Sequence, residues 1–221
     1  LAHEIKNPLT PIQLTIDRIK NKYLDQLNSE DQKNFKENLI IINNQIKQIE
    51  NLVNEFSDFA RMPKPILKDN NLILILEDNI KLLSEMDKTI DIEFKKDVEK
   101  ILFNCDKEQI GRVFFNLIKN SIESIQQKFE KYPDFIKKIS IEILQNNDHI
   151  KFILVDNGIG FSQIKGKIKD ILNPYFTTKK NGTGLGLSIV NKIINDHNGE
   201  LNFYTIKDGA KIEIDFEING N

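Results

Sequence analysis

Two apolar series, each stepping by three and four, limit what the first sixty residues can become. One runs Ala2, Ile5, Leu9, Ile12, Ile16, Ile19, Tyr23; the other runs Phe35, Leu39, Ile42, Ile46, Ile49, Val53, Phe56, Ala60. A strand would bury alternate residues and a globular helix a broader face. This narrow a/d seam predicts two long helices that need partners. The polar break Asn28-Ser29-Glu30-Asp31-Gln32 separates them, and Ser29 or Asp31 is expected to cap the second helix. Two such helices bury little alone, so the expectation is an antiparallel hairpin that pairs with a second copy into a four-helix bundle.

Arg61-Met62-Pro63-Lys64-Pro65 ends the pattern, because proline withdraws a helical donor and clashes with the preceding turn. The boundary predicts a helical hairpin over 1–62 and a second domain over 63–221. In the second domain the spacing predicts helices over 72–83, 107–129 and 187–194. Alternation predicts strands over 90–94, 139–143, 151–155, 200–206 and 210–218, with turns at Asn146-Asn147-Asp148 and Lys207-Asp208-Gly209. Helices mixed with mostly adjacent strand pairs imply an α+β sandwich, with helices on one face of one sheet.

A net charge of −2 gives no electrostatic case for nucleic acid. The single cysteine, Cys105, cannot form an internal disulfide and suits a reducing compartment. No apolar run is long enough to cross a bilayer. The sequence opens on Leu1 inside a helical pattern, which predicts a fragment of a longer protein.

His3 takes heptad position b if Ala2 and Ile5 are a and d, with Glu4 beside it at c and Asn7 at f. His3 and Asn7, four apart, therefore share an outward face, and Pro8 is expected to bend or loosen the turn that carries them. On that string alone His3 is an ordinary solvated histidine. A zinc-protease helix would need a second histidine where Asn7 stands, and no Gly-x-Ser-x-Gly elbow exists for a serine hydrolase.

Six of the ten glycines fall between 158 and 186, which marks positions of unusual backbone conformation or of close approach. Asp156-Asn157-Gly158-Ile159-Gly160 follows an apolar strand and puts a carboxylate at its end. Gly182-Thr183-Gly184-Leu185-Gly186 runs into a helix, whose free N–H groups suit a phosphate. The irregular stretch between these loops, with Lys165, Lys167, Lys169, Lys179 and Lys180, reads as a lid or a disordered segment. Neither the P-loop nor the Rossmann spacing fits. Asn116 and Asn120 are four apart on one helix; a neutral amide oxygen suits Mg²⁺, although a hydrogen-bonded surface pair is the plainer alternative.

In combination these strings resemble the sensor histidine kinases of two-component systems. His3-Glu4-Ile5-Lys6-Asn7-Pro8-Leu9 is similar to the H box, Asn116-Leu117-Ile118-Lys119-Asn120-Ser121 to the N box, and Asp156 to Gly160 to the G1 box. Asn173-Pro174-Tyr175-Phe176-Thr177-Thr178-Lys179 resembles the F box and Gly182 to Leu187 the G2 box. The H-box wording looks most like the nitrogen-regulation, NtrY-like branch. The resemblance implies a dimeric hairpin followed by a GHKL (Bergerat) ATP-binding sandwich. It implies autophosphorylation of His3 from Mg-ATP, transfer to an aspartate of a response regulator, and residence in the cytoplasmic part of an inner-membrane sensor.

The resemblance also assigns roles. Glu4 would orient or deprotonate the His3 ring, and Asn7 would place a water for dephosphorylating the regulator. Asp156 would take the adenine amino group, Asn120 would ligate Mg²⁺ and Phe176 would anchor the lid. The nucleotide site would comprise Asn116, Lys119, Asn120, Asp156, Gly158, Gly160, Phe176, Thr178, Lys179, Gly182, Thr183, Gly184, Leu185 and Gly186, its glycines letting the backbone approach the nucleotide. Ser121 stands where the family often has alanine, with little expected consequence. His149 and His197 are expected to be structural. The alternatives are a dimeric nucleotide-binding scaffold without kinase activity, or another GHKL-type ATPase.

Overall fold

The computed structural model describes residues 2–146, 148–161, 168–179 and 182–218, with side chains described from Glu4 onward. The chain divides into two compact units, 1–62 and 63–221.

The first unit is a hairpin of α1 (Ala2–Tyr23) and α2 (Ser29–Ala60), joined by a short 3₁₀ turn at Leu24–Gln26. The apolar stripe of each helix is divided between two faces. Leu9 and Ile16 on α1 pack with Leu39 and Ile46 on α2, and Phe35 lies against them. The residues three further along each helix stay open: Ile12 is 45% exposed, Ile42 43% and Ile49 42%. What reads as one seam is an inner row filled by the hairpin and an outer row left bare. The cap of α2 is Asn28, not Ser29 or Asp31. Its side chain accepts the Asp31 N–H at 2.9 Å, satisfying one donor the helix leaves open, and donates to the Asp31 carboxylate at 2.7 Å. Pro8 and Pro11 each withdraw one N–H from the α1 ladder, yet the helix runs through both.

The second unit holds a five-stranded sheet, with β2 (Asp91–Lys96), β4 (Lys138–Gln145), β5 (His149–Asp156), β7 (Gly209–Glu217) and β6 (Gly199–Ile206) in that spatial order. The last four strands pair antiparallel, whereas β2 joins the edge parallel to β4. Period-two alternation turns Ile139, Ile141, Ile143, Ile150, Phe152, Leu154, Ile212, Ile214 and Phe216 to one buried face. Helices α3 (Leu72–Ser84), α4 (Lys107–Lys131) and α5 (Gly186–Asp196) contribute the rest of this core. A two-stranded ribbon, β1 (Lys68–Asn71) with β3 (Leu102–Cys105), is not foreshadowed by alternation, because β1 reads Lys-Asp-Asn-Asn. Asn71 ends it, capping α3 through the Ile73 N–H and also accepting the Ile101 N–H.

Candidate functional site

Helix α4 is the backbone of the site, and its start is fixed by Asp106. The carboxylate accepts the N–H groups of Glu108 and Gln109 on Oδ1 and that of Ile66 on Oδ2, at 2.9–3.1 Å. Burial alone would raise the Asp106 pKa, but the three amides outweigh it and leave the group below its ordinary value. The Asp106 N–H donates to His197 Nε2 at 3.0 Å, and His197 Nδ1 donates to the Ile193 carbonyl at 2.8 Å. This buried ring thus ties the end of α5 to the start of α4. His149 pairs with Asp215 at 2.7 Å on the sheet. Both histidines have structural partners.

On the polar face of α4, Asn120 and Glu123 converge on Lys179. Lys179 Nζ donates to Asn120 Oδ1 at 2.7 Å and also to Glu123 Oε2. Lys119 lies 3.8 Å from the other Glu123 oxygen. The expected pair separates: Asn120 turns toward Lys179, whereas Asn116 donates back to the Arg112 carbonyl at 2.9 Å. The start of α5 still closes on Asn116, whose Oδ1 lies 3.4 Å from where a Cβ on Gly186 would stand. Around Lys179, the Thr177 hydroxyl accepts the Lys179 N–H at 3.1 Å, and Thr178 is exposed. Leu185 is fully buried, its N–H donating to Thr183 Oγ1 at 3.4 Å.

At the end of β5, Asp156 faces inward and is 4% exposed. Its Oδ1 accepts the Gly158 N–H and its Oδ2 the Ser121 hydroxyl, both at 2.9 Å. Burial raises the Asp156 pKa; the Gly158 N–H, the Ser121 hydroxyl, the Ala210 N–H and the Lys128 charge oppose that rise in decreasing order. Gly158 packs on α4, where a Cβ would come within 2.7 Å of the Ser124 carbonyl carbon, and the Ile159 N–H donates to the Ser124 hydroxyl.

Three further glycines are required by close packing. Gly209 opens β7 at φ 114°, and a Cβ there would lie 2.7 Å from the Asp156 carbonyl carbon; a Cβ on Gly160 would in turn lie 2.8 Å from that of Gly209. Gly184, at φ 71°, sits against Tyr175 and Phe176, where a Cβ would meet the Phe176 nitrogen at 2.8 Å. The Tyr175 N–H donates to the Gly184 carbonyl at 3.0 Å, and Tyr175 itself holds φ 69°, an uncommon conformation for a tyrosine. The close approach that these glycines allow is to protein backbone. Gly182 instead abuts the Thr177 side chain, and at Gly186 a Cβ would stand in ordinary contact distance of Asn116.

In the hairpin, His3 falls in α1 with its side chain outside the described residues, while Glu4 and Asn7 are exposed. Lys165, Lys167 and Lys180 also lie outside the described residues; Lys169 belongs to a 3₁₀ turn at Ile168–Leu172. No motif in the sequence marks Glu123 or Ser124, and Ser121 is expected to matter little. Ser121 had a signal: it continues the apolar stripe Ile110, Phe114, Leu117 at a core position.

An inward carboxylate at the end of β5, a glycine loop entering α5 and the polar face of α4 are the features of this α/β sandwich that could hold a nucleotide. Residues 105–219 match the family of histidine kinase-, DNA gyrase B- and HSP90-like ATPases, and residues 1–65 match the His Kinase A (phospho-acceptor) domain. The chain belongs to this ATPase family and carries the two domains of a histidine kinase. An NtrY-like sensor histidine kinase of Rickettsia prowazekii is 35% identical over 221 residues, covering 99% of this chain and 35% of that protein. The nitrogen regulation protein NtrY of Azorhizobium caulinodans is 33% identical, covering 100% and 28%. The chain thus spans about a third of the length of these curated relatives. Among solved structures, the histidine kinase ThkA in complex with response regulator TrrA matches with a TM-score of 0.68 at 26% identity, over 98% of this chain and 59% of that one. Among the described residues, no helix is long and apolar enough to cross a membrane.

Proposed function

We propose that the protein is the kinase core of an NtrY-like sensor, in which His3 takes the γ-phosphoryl group of ATP and passes it to an aspartate of a response regulator. An imidazole nitrogen of His3 attacks the γ-phosphorus, the bridging P–O bond breaks, and ADP leaves with the bond's electrons. Glu4 receives or orients the ring proton. Asp156 accepts the adenine amino group. Asn116, Lys119, Phe176, Thr178, Lys179 and the backbone from Gly182 to Gly186 surround the nucleotide, with Gly158 and Gly160 setting the loop after Asp156. Asn7 serves the reverse reaction by placing water at the phosphorylated regulator.

The observation that carries the nucleotide site is Lys179. Its ammonium lies between Asn120 Oδ1 and the Glu123 carboxylate, so these oxygens already converge on a cation. A neutral oxygen beside a carboxylate fits Mg²⁺ in ligand type. Mg²⁺ takes most of its ligands from phosphate and water, so one amide oxygen and one carboxylate are a sufficient protein contribution. When bound, Mg²⁺ supplies neutralisation of phosphate charge; Asn120 would hold it, and Lys179, released from Asn120, would face the phosphates.

The outer row on the hairpin favours a homodimer, and the regulator bound to ThkA favours the same class of partner here. The parent protein would be an inner-membrane sensor with this part in the cytoplasm. Incubation with γ-labelled ATP and Mg²⁺ tests the proposal. Acid-labile label is expected on the wild type and not on His3→Gln. Nucleotide binding with no label on the wild type would make the protein a scaffold instead.

A further inference from the structure

Two apolar rows pack on each other in the sandwich, Phe114 against Phe152, and each carries one polar residue. On β5 the inward row is Ile150, Phe152, Leu154, Asp156. On α4 the inward stripe is Ile110, Phe114, Leu117, Ser121, Ile125, with Ser121 its polar interruption. The two polar members touch: Ser121 Oγ donates to Asp156 Oδ2 at 2.9 Å, with Ser121 2% and Asp156 4% exposed. A hydroxyl at a core position is unfavourable unless partnered, and here its partner is the carboxylate that the site needs.

We propose that Ser121 is a positioning and specificity-determining residue of the purine pocket, its hydroxyl holding Asp156 as an oriented hydrogen-bond acceptor. The inference rests on Asp156 being the group that meets the purine. A carboxylate accepts from the exocyclic amino group of adenine and repels the keto oxygen of guanine. The same group, once protonated, carries an O–H that can donate to the keto oxygen, so discrimination depends on keeping the proton off. Burial favours the protonated form. The groups opposing it are the Gly158 and Ala210 amides, Lys128 from α4 and the Ser121 hydroxyl. The amides belong to the backbone, and Lys128 is committed to the Asn157 carbonyl at 2.8 Å. Ser121 is therefore the opposing group that a substitution can remove without disturbing the chain path. Its bond also fixes the carboxylate plane, because Oδ1 is already held by Gly158.

The test is nucleotide affinity against pH, measured by calorimetry with ADP and with GDP in the presence of Mg²⁺. Wild type, Ser121→Ala, Ser121→Thr and Asp156→Asn are compared, and each variant's fold is checked by its melting curve. Loss of one hydrogen bond to a charged group predicts that Ser121→Ala weakens ADP by about tenfold near neutral pH. The pH below which ADP affinity falls should move up, and the ADP-to-GDP preference should narrow. Ser121→Thr, which keeps the hydroxyl, should restore both. If Ser121→Thr is too large for the site and melts early, the shifted pH midpoint of Ser121→Ala decides alone, since loss of packing does not move it. An unchanged midpoint and purine preference in Ser121→Ala, with Asp156→Asn losing ADP, overturns the proposal. If Asp156→Asn binds ADP as the wild type does, the underlying placement of the purine is wrong.

Discussion

The outer row of the hairpin gives a dimer prediction whose size can be worked out. Ile42 and Ile49 are each a little over two-fifths exposed in the single chain, and Ile12 on α1 is equally open. Fully burying an isoleucine is worth roughly 1.5–3 kcal/mol, so covering what remains exposed is worth about 1 kcal/mol per side chain. Replacing Ile42 and Ile49 with serine removes four such contributions from a symmetric dimer, about 4 kcal/mol. That is about a thousandfold in dissociation constant. Sedimentation equilibrium on wild type and the double variant would measure it, with helix content by circular dichroism unchanged. Ile46→Ala is the contrast. It sits in the inner row at 4% exposure, so its cost of about 2–5 kcal/mol should appear first as lost hairpin stability. A double variant that dimerises like the wild type would refute the two-row reading, as would a wild type that is monomeric at about 10 μM.

Three further outcomes are expected. Asp87, whose side chain is 13% exposed, has its pKa lowered from 3.8 to about 2, first by the Thr89 hydroxyl against the opposing effect of burial, then by the Thr89 N–H, Gln126 and Lys137. Because the folded value is depressed, its stabilisation is complete above the unfolded pKa and is lost as pH falls from about 4 to 2. It amounts to roughly 1–2 kcal/mol, and Thr89→Ala should flatten the acid limb of a urea-midpoint-against-pH curve. His197→Ala unties α5 from Asp106 and leaves the buried Ile193 carbonyl without the ring donor, so a loss of about 1–3 kcal/mol is expected in urea unfolding. Gly184→Ala forces a side chain into left-handed backbone against Phe176. It should cost more than about 1 kcal/mol in stability and weaken nucleotide binding together with it, whereas Gly186→Ala should leave the melting temperature nearly unchanged.

The sequence was most legible where one period covered many residues. The long helices and the β5–β7 strands follow their apolar steps to within a few residues, since burial and hydrogen bonding agree there. Legibility failed where a polar segment is held by side chains. Lys68–Asn71 becomes a strand because Leu102–Cys105 offers it a ladder, and Asn28 outcompetes Ser29 because its amide can both accept from and donate to Asp31. The parallel seating of β2 on β4 is a long-range choice that alternation does not encode. In the site, the asparagine spacing placed Asn116 and Asn120 on one helix face, but not the Lys179 ammonium that turns them to different partners. Ser121 was readable as an interruption of an apolar stripe; its meaning required knowing that β5 brings a carboxylate to the same depth.

The contact between Gly160 and Gly209 has a genetic consequence. The turn joining the last two strands lies fifty residues downstream of the Asp156 loop in sequence, yet the loop rests on it. A random screen for variants that no longer hold nucleotide should return changes at Gly209 alongside those at Asp156. Mapped on the primary sequence alone, such alleles would look like damage to a remote hairpin. Because each glycine abuts backbone, second-site revertants should not arise by trimming a neighbouring side chain. Suppression would have to come from shifting the main chain of the turn itself.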